Sequence, residues 1–462
     1  MAPSIYQQRR TRVTAALNAA GGGVAIVPTA PERQRNSDSD HPYRYDSNFH
    51  YLTGFAEPGS WLVLTSEGQS HLFCREKNVE REIWDGHRLG PQQAPGALGV
   101  DEAYAVAALD DLLPGLLADR PAVWLPFGDH PHLDTRVQGW LATVRGRSRH
   151  GVSCPDSVRD LNPLLGEMRL IKDSTELATM RRAAVISAGA HVRAMRFCAE
   201  RFRRAPQGGV REYEIEAELL HEFRRHGAQS PAYTSIVAAG PNACVLHYAA
   251  SDAELKAGQL CLVDAGCELD GYASDITRTF PADGRFTPAQ RALYEIVLAA
   301  QDAAVAATRP GARKQDSHWA AVRVLAQGML DVGLLDRNAH GDVDAVIASA
   351  AYRQFYMHGT GHWLGLDVHD AGEYLALEEA PVEQPDVQGG SVVRKPSRVL
   401  QAGMVVTLEP GLYVRPAEGV AQAFWHIGVR IEDDAVVTPE GCELISRGVP
   451  VKADEIEALM RA

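Results

Sequence analysis

Short apolar runs alternate with helical stretches along the first 165 residues: 24–27, 61–65 and 122–126 read as strands, and 7–20 as a helix. This alternation is an α/β pattern. Asn162-Pro163 and Gly166 then interrupt the chain ahead of Asp173-Ser174-Thr175-Glu176, where Asp173 can cap a helix and Glu176 can reach back to it. The helix that follows repeats apolar residues every three or four positions to about Phe202, so a domain boundary is expected near residue 172, between units 1–172 and 173–462. Further helices are predicted around 211–226 and 288–307, with apolar strands between and after them. Gly389-Gly390 and three prolines mark segment 371–400 as a surface insertion.

Several of the later apolar runs end in an acid. Asp264 follows Leu262-Val263, and Glu409 follows Val405-Val406-Thr407-Leu408. A buried carboxylate is costly unless it is paired or bound to metal. Asp264 and Asp275 stand 11 residues apart across Asp270-Gly271, a turn dipeptide that folds two strands back on each other. Glu409 and Glu432 lie on two further runs joined by the loop 415–425, and His362 stands between the two pairs. Four carboxylates carry a charge that two divalent cations neutralise, and one imidazole among oxygen donors suits a hard ion such as manganese. A lone acid after an apolar run is usually a strand cap; what overturns that reading here is the resemblance given below, in which these four acids and one histidine recur in a family's order and local contexts. His358 and His362 have the spacing of a zinc-protease helix, but no Glu follows the first, and Gly359 and Gly361 disfavour helix. Strand alternation puts His362 and His369 on opposite faces, so a bend is expected near Gly365.

Composition narrows the function classes. The 462 residues are 45% hydrophobic and 23% charged, as in an ordinary globular protein. A net charge of −13 disfavours nucleic acid or an anionic membrane as partner. No apolar stretch approaches the ~20 residues needed to span a bilayer, and no apolar segment follows the basic residues of the start, so no signal peptide is expected. Seven scattered cysteines without a CxxC pair read as reduced thiols of a cytoplasmic protein.

The segments LVDAGCELDGYASDITRTF (262–280), HGTGHWLGLDVHD (358–370), TLEPGLYV (407–414) and HIGVRIEDD (426–434) resemble the metal-binding motifs of the Xaa-Pro peptidases of the creatinase/methionine aminopeptidase superfamily. The segments 38–64 and 82–90 resemble the first domain of the aminopeptidase P branch. The resemblance implies an N-terminal α/β creatinase-like domain followed by a C-terminal pita-bread domain. It also implies an enzyme with two divalent metal ions, manganese by preference, that releases the residue preceding proline from peptides beginning Xaa-Pro. Carried over by position, the metal ligands are Asp264, Asp275, His362, Glu409 and Glu432. The catalytic residues are His247 (in NACVLHYAA, 242–250), His369 and Glu409 as general base. The substrate residues are Tyr233, His358 and Arg430. The N-terminal domains of the family mediate assembly, which implies a homo-oligomer, dimer or tetramer, with Trp84 at a neighbouring subunit's cleft. Segment 371–400 is longer than in the shortest family members. The alternatives within the resemblance are a dipeptidase that cuts only Xaa-Pro dipeptides, and a member without metals that acts as a binding module.

Overall fold

The structure is a computed structural model that describes residues 4–206, 209–249 and 252–462. Ala250, at the end of the 242–250 segment, lies outside the described residues. Two compact units emerge, Met1–Arg169 and Leu170–Ala462. Among the described residues no helix is long and apolar enough to cross a membrane.

In the N-terminal unit, α1 (Ile5–Ala19) begins two residues ahead of the expected helix. Ser4 Oγ accepts the Gln7 N–H at 3.2 Å and Gln7 Oε1 accepts the Ser4 N–H at 2.8 Å, a reciprocal cap that starts the helix early. Six strands form one sheet: β1 (Val24–Pro28), β2 (Trp61–Thr65), β3 (Ser70–Cys74), β4 (Glu102–Ala105), β5 (Ala122–Leu125) and β6 (Ser157–Asp160), in the order β4-β3-β2-β1-β5-β6. β1 runs antiparallel to β2 and parallel to β5, and all its residues are buried, as its unbroken apolar sequence requires. Helices α2 (Leu109–Leu117) and α3 (Leu133–Arg145) pack Leu113, Leu117, Trp140 and Val144 into one cluster with Val24, Ile26, Val63 and Phe73. By contrast, the short helix Val79–Asp85 buries nothing, and Trp84 on it is 83% exposed.

The C-terminal unit opens on α4 (Ser174–Arg204), where Asp173 Oδ1 accepts the N–H groups of Thr175 and Glu176 at 2.8 and 3.0 Å and Glu176 Oε2 accepts that of Asp173 at 2.9 Å. Helices α5 (Glu212–Arg225) and α6 (Pro288–Ala307) match the predicted periodicity. A further helix, α7 (Lys314–Asp331), escaped it because Ser317, His318 and Gly328 occupy buried positions and blur the apolar stripe. The helices cover two hairpins, each interrupted midway along both arms. In the first, Asp270-Gly271 joins β8 (Cys267–Leu269) to β9 (Tyr272–Ala273), with φ of +50° and +86° at the two turn residues. Both values are positive, as the tight hairpin turn demands. The outer segments β7 (Leu260–Asp264) and β10 (Thr277–Pro281) pair separately, with Asp264 opposite Thr277. In the second, β12 (Gly411–Val414) pairs with β13 (Ile427–Arg430), and β11 (Val405–Leu408) with β14 (Asp433–Val437). The four acids sit at these interruptions: Asp264 at the end of β7, Asp275 before β10, Glu409 after β11 and Glu432 before β14. There the backbone leaves the regular pleat and frees side chains to converge.

Segment 371–400 forms an exposed hairpin, Val382–Pro385 against Ser391–Arg394, with its base tied down. Leu400 N–H donates to Ala312 O at 2.8 Å, and Arg313 forks onto Glu379 at 2.8 and 2.7 Å.

Candidate metal centre

The two interrupted hairpins and the 358–370 segment enclose a cavity of about 630 Å³ in the C-terminal unit. Asp264, Asp275, His362, Glu409 and Glu432 all line it, as do Tyr233, His247, His358, His369 and Arg430. Trp84 belongs to the N-terminal unit.

His362 reaches the acids because Gly361 lies against the Thr407 backbone: a Cβ there would fall 1.8 Å from Thr407 O. Thr407 then receives the His362 N–H on its hydroxyl at 3.1 Å and donates its own N–H to His362 O at 3.0 Å. The ring is oriented by Nδ1, which donates to Trp363 O at 2.9 Å. Nε2 thereby faces Asp275 Oδ2 at 3.4 Å and Glu409 Oε1 at 3.6 Å. One ligating atom each from Asp275, His362 and Glu432 lies within 4.8 Å of the others, a spacing that can hold a metal ion. The chain bends over residues 365–369, as the paired histidines required, and brings the His362 and His369 rings to 4.2 Å, edge to face.

The remaining acid is held from the side. Arg430 Nη2 donates to Asp264 Oδ2 at 2.6 Å, and the Tyr233 hydroxyl bridges Asp264 Oδ1 and Asp275 Oδ1 at 2.6 and 2.5 Å. Three residues that the sequence reading passed over complete the network. Thr277 Oγ1 donates to Glu432 Oε2 at 2.6 Å, and Thr407 Oγ1 to Glu409 Oε1 at 3.2 Å. Tyr413 accepts from Arg430 Nη1 at 3.0 Å and donates to His358 Nε2 at 2.8 Å, while His358 Nδ1 donates to Gly359 O at 2.7 Å. The local signal for Thr277 and Thr407 is their place two residues from the candidate ligands Asp275 and Glu409; Tyr413 has no such signal.

Burial sets the charge state. It drives the carboxyls of Asp275 and Glu432 above their ordinary range, helped by the neighbouring acids, and pushes Glu409 to about 7 despite the opposing charges of His362 and Arg430. His362 moves to about 9: desolvation lowers it, but the hydrogen bond and charge of Asp275 and the charge of Glu409 outweigh that. Burial beside Arg430 takes His358 down to about 3, leaving a neutral ring. Protons on these groups therefore offset repulsion that divalent cations relieve more fully, and the oxygen-rich donor set with one imidazole fits such ions.

Residues 178–439 match the model of metallopeptidase family M24, and residues 6–124 that of the aminopeptidase P N-terminal domain. The Xaa-Pro aminopeptidase of Escherichia coli (strain K12) is 42% identical over 99% of this chain and 97% of its own length. The solved structure of Pseudomonas aeruginosa aminopeptidase PepP is 47% identical, covers 98% of both chains and superposes with a TM-score of 0.89. A zinc-substituted E. coli aminopeptidase P in complex with product gives 0.88 at 41% identity, covering 99% of both chains. The chain therefore belongs to metallopeptidase family M24, and within it to the Xaa-Pro aminopeptidases.

Proposed function

We propose that Asp264, Asp275, His362, Glu409 and Glu432 hold two divalent cations, manganese by preference, at the catalytic centre of this enzyme. The chain is an exopeptidase that releases the N-terminal residue ahead of proline. The observation that carries the ligand assignment is the convergence of five donors from two interrupted hairpins on one buried cavity, with burial and mutual repulsion raising the proton affinity of Asp275, Glu409 and Glu432.

When bound, the cations supply Lewis acidity and a water of lowered pKa. Glu409 takes the proton of the attacking water on its carboxylate and returns it to the proline nitrogen. As for any amide, that nitrogen leaves as an amine only once it has gained this proton. His247 and His369, which line the cavity, donate hydrogen bonds to the substrate carbonyl as it gains negative charge. Asp264 receives the free amine of the substrate, which confines cleavage to the terminal residue. Tyr233, His358 and Arg430 enclose the proline ring, with Tyr413 locking the last two together.

Trp84 supports assembly as part of the same reading. Val79, Ile83 and Trp84 are 77%, 78% and 83% exposed on one short helix that buries nothing, a cluster of apolar surface of the kind that marks an interaction site, and a homo-oligomer that brings Trp84 to a neighbour's cleft covers it. The seven free cysteines, five of them buried, fit a cytoplasmic setting.

Hydrolysis of Arg-Pro-Pro against Ala-Pro, with and without chelation and added manganese, tests the assignment. Cleavage of the tripeptide that vanishes on chelation and returns with manganese is the expected result. Activity confined to the dipeptide is the result of a dipeptidase, and activity that survives exhaustive chelation overturns the metal assignment.

A further inference from the structure

A second cavity, of about 320 Å³, shares the wall residues His358 and Gly359 with the first. Its lining is distinct in charge. Lys314, Arg353 and Arg394 face it and, among the described residues, no Asp or Glu does, in a chain whose net charge is −13. The acids nearby are engaged elsewhere: Glu379 is forked by Arg313 at 2.7 Å, and Asp386 accepts the Gln388 N–H at 2.8 Å. Arg353 and Arg394 have no carboxylate partner among the described residues, and Arg394 Nε is buried without any hydrogen-bond partner. His318, 9% exposed, likewise has Nε2 unpartnered, while its Nδ1 meets Thr360 Oγ1 at 2.9 Å. Lys314 donates to Gly361 O and lies 4.9 Å from the Tyr374 ring centroid; it makes no contact ion pair among the described residues, and the one acid whose charge reaches it is Glu409, a residue of the first cavity.

One wall of this cavity comes from segment 371–400, which contributes Tyr374, Leu375, Val387, Arg394 and Ser397. That wall is fixed in place. Besides the ties at its base, Lys314 N–H donates to Arg398 O and Gly390 N–H to Ala348 O, each at 2.8 Å. A cationic recess with buried, unsatisfied donors is expensive to leave without an anion.

We propose that the second cavity binds a carboxylate of the peptide substrate beyond proline, with segment 371–400 supplying the specificity through Arg394. The proposal rests on the peptidase reading, in which His358 flanks the proline ring. A chain continuing past that ring meets His358, whose other side belongs to the cationic recess. At about 3.3–3.6 Å per extended residue, one to three residues carry a carboxylate into a cavity of this size. Its source is either the C-terminus of a short peptide or an acidic side chain of a longer one.

The test uses the full-length, metal-loaded protein and the series Ala-Pro-(Ala)n, with n from one to three, each as free acid and as C-terminal amide. Ala-Pro-Ala-Asp-amide separates a side-chain carboxylate from a terminal one. The free acid is expected to be favoured about tenfold in kcat/KM at one length, the scale of one charge-assisted hydrogen bond, and the preference should shrink at high salt. Arg394→Gln and Arg353→Gln should each bring the acid-to-amide ratio towards one through KM, leave cleavage of the amides unchanged, and Arg394→Lys should retain most of the preference. Inorganic phosphate should compete with the acids and spare the amides. The proposal is overturned if amides and acids are cleaved equally at every length, if the preference survives both glutamine variants, or if phosphate binding depends on Arg394 while peptide ratios do not. Should no Xaa-Pro peptide be cleaved at all, the peptidase reading fails instead; calorimetry of Pro-Ala-Ala against its amide then still reads the cavity, and equal affinity sinks the proposal.

Discussion

Lys172 Nζ lies 2.9 Å from Asp370 Oδ2, and both side chains are 1% exposed. Asp370 follows His369 directly, packs its carboxylate over Gly365 and accepts the Asp367 N–H at 3.3 Å, so this ion pair pins the bend that carries His369 into the cavity. Removing one member leaves the other charged and buried, which typically costs about 3–5 kcal/mol. Asp370→Ala should therefore lower the melting temperature sharply and depress kcat. The double variant Lys172→Met/Asp370→Leu should recover much of the stability but not the rate. If it recovers both, the pair has no part in positioning His369.

His247→Ala and His369→Ala should reduce kcat by about 10²–10³, the usual effect of losing one donor to a developing oxyanion, while metal content measured by elemental analysis stays at the parent value. A variant that loses its metals and regains full rate when they are restored would reassign that histidine to support of the cations.

Glu409→Gln should retain the fold and abolish turnover, and it should also change the pH dependence of stability. In the metal-free protein Glu409 is pushed from 4.5 to about 7. Between those values the folded protein holds a proton there that the unfolded chain has released, so the group's contribution to stability falls as pH rises through the window. Buried neutral His358, lowered to about 3, acts in the opposite direction below 6.5 but is common to both proteins. The difference in melting temperature, variant minus parent under chelation, should grow as pH is raised from 4.5 to 7; a flat difference would show that Glu409 does not titrate there. Affinity for the cations should rise with pH over the same range, since binding displaces that proton.

Trp84→Ala, and deletion of residues 1–172, test the assembly. The truncated chain should be monomeric by light scattering and lose the preference for tripeptides over dipeptides. Full-length protein that is already a monomer, with the tripeptide-to-dipeptide ratio unchanged in Trp84→Ala, would remove Trp84 from the cleft.

The sequence by itself determined several of the elements and the family to which the chain belongs. The Asp173–Glu176 capping box and the apolar periodicity after it predicted α4, because these signals act within a few residues, and helices were expected where α5 and α6 lie. The acids at the ends of apolar runs marked Asp264 and Glu409, because burial without a partner is too costly for a carboxylate to occur there idly. Only the tertiary structure decided how the hairpins are interrupted, since strand pairing between β7 and β10 or β11 and β14 depends on contacts that no local pattern encodes. It also decided the cross-chain partners, such as Arg430 with Asp264 and Lys172 with Asp370, which are 166 and 198 residues apart. The cationic recess behind His358 was equally invisible. Lys314, Arg353 and Arg394 look like ordinary surface cations one at a time, and their shared field arises only when segment 371–400 folds over α7.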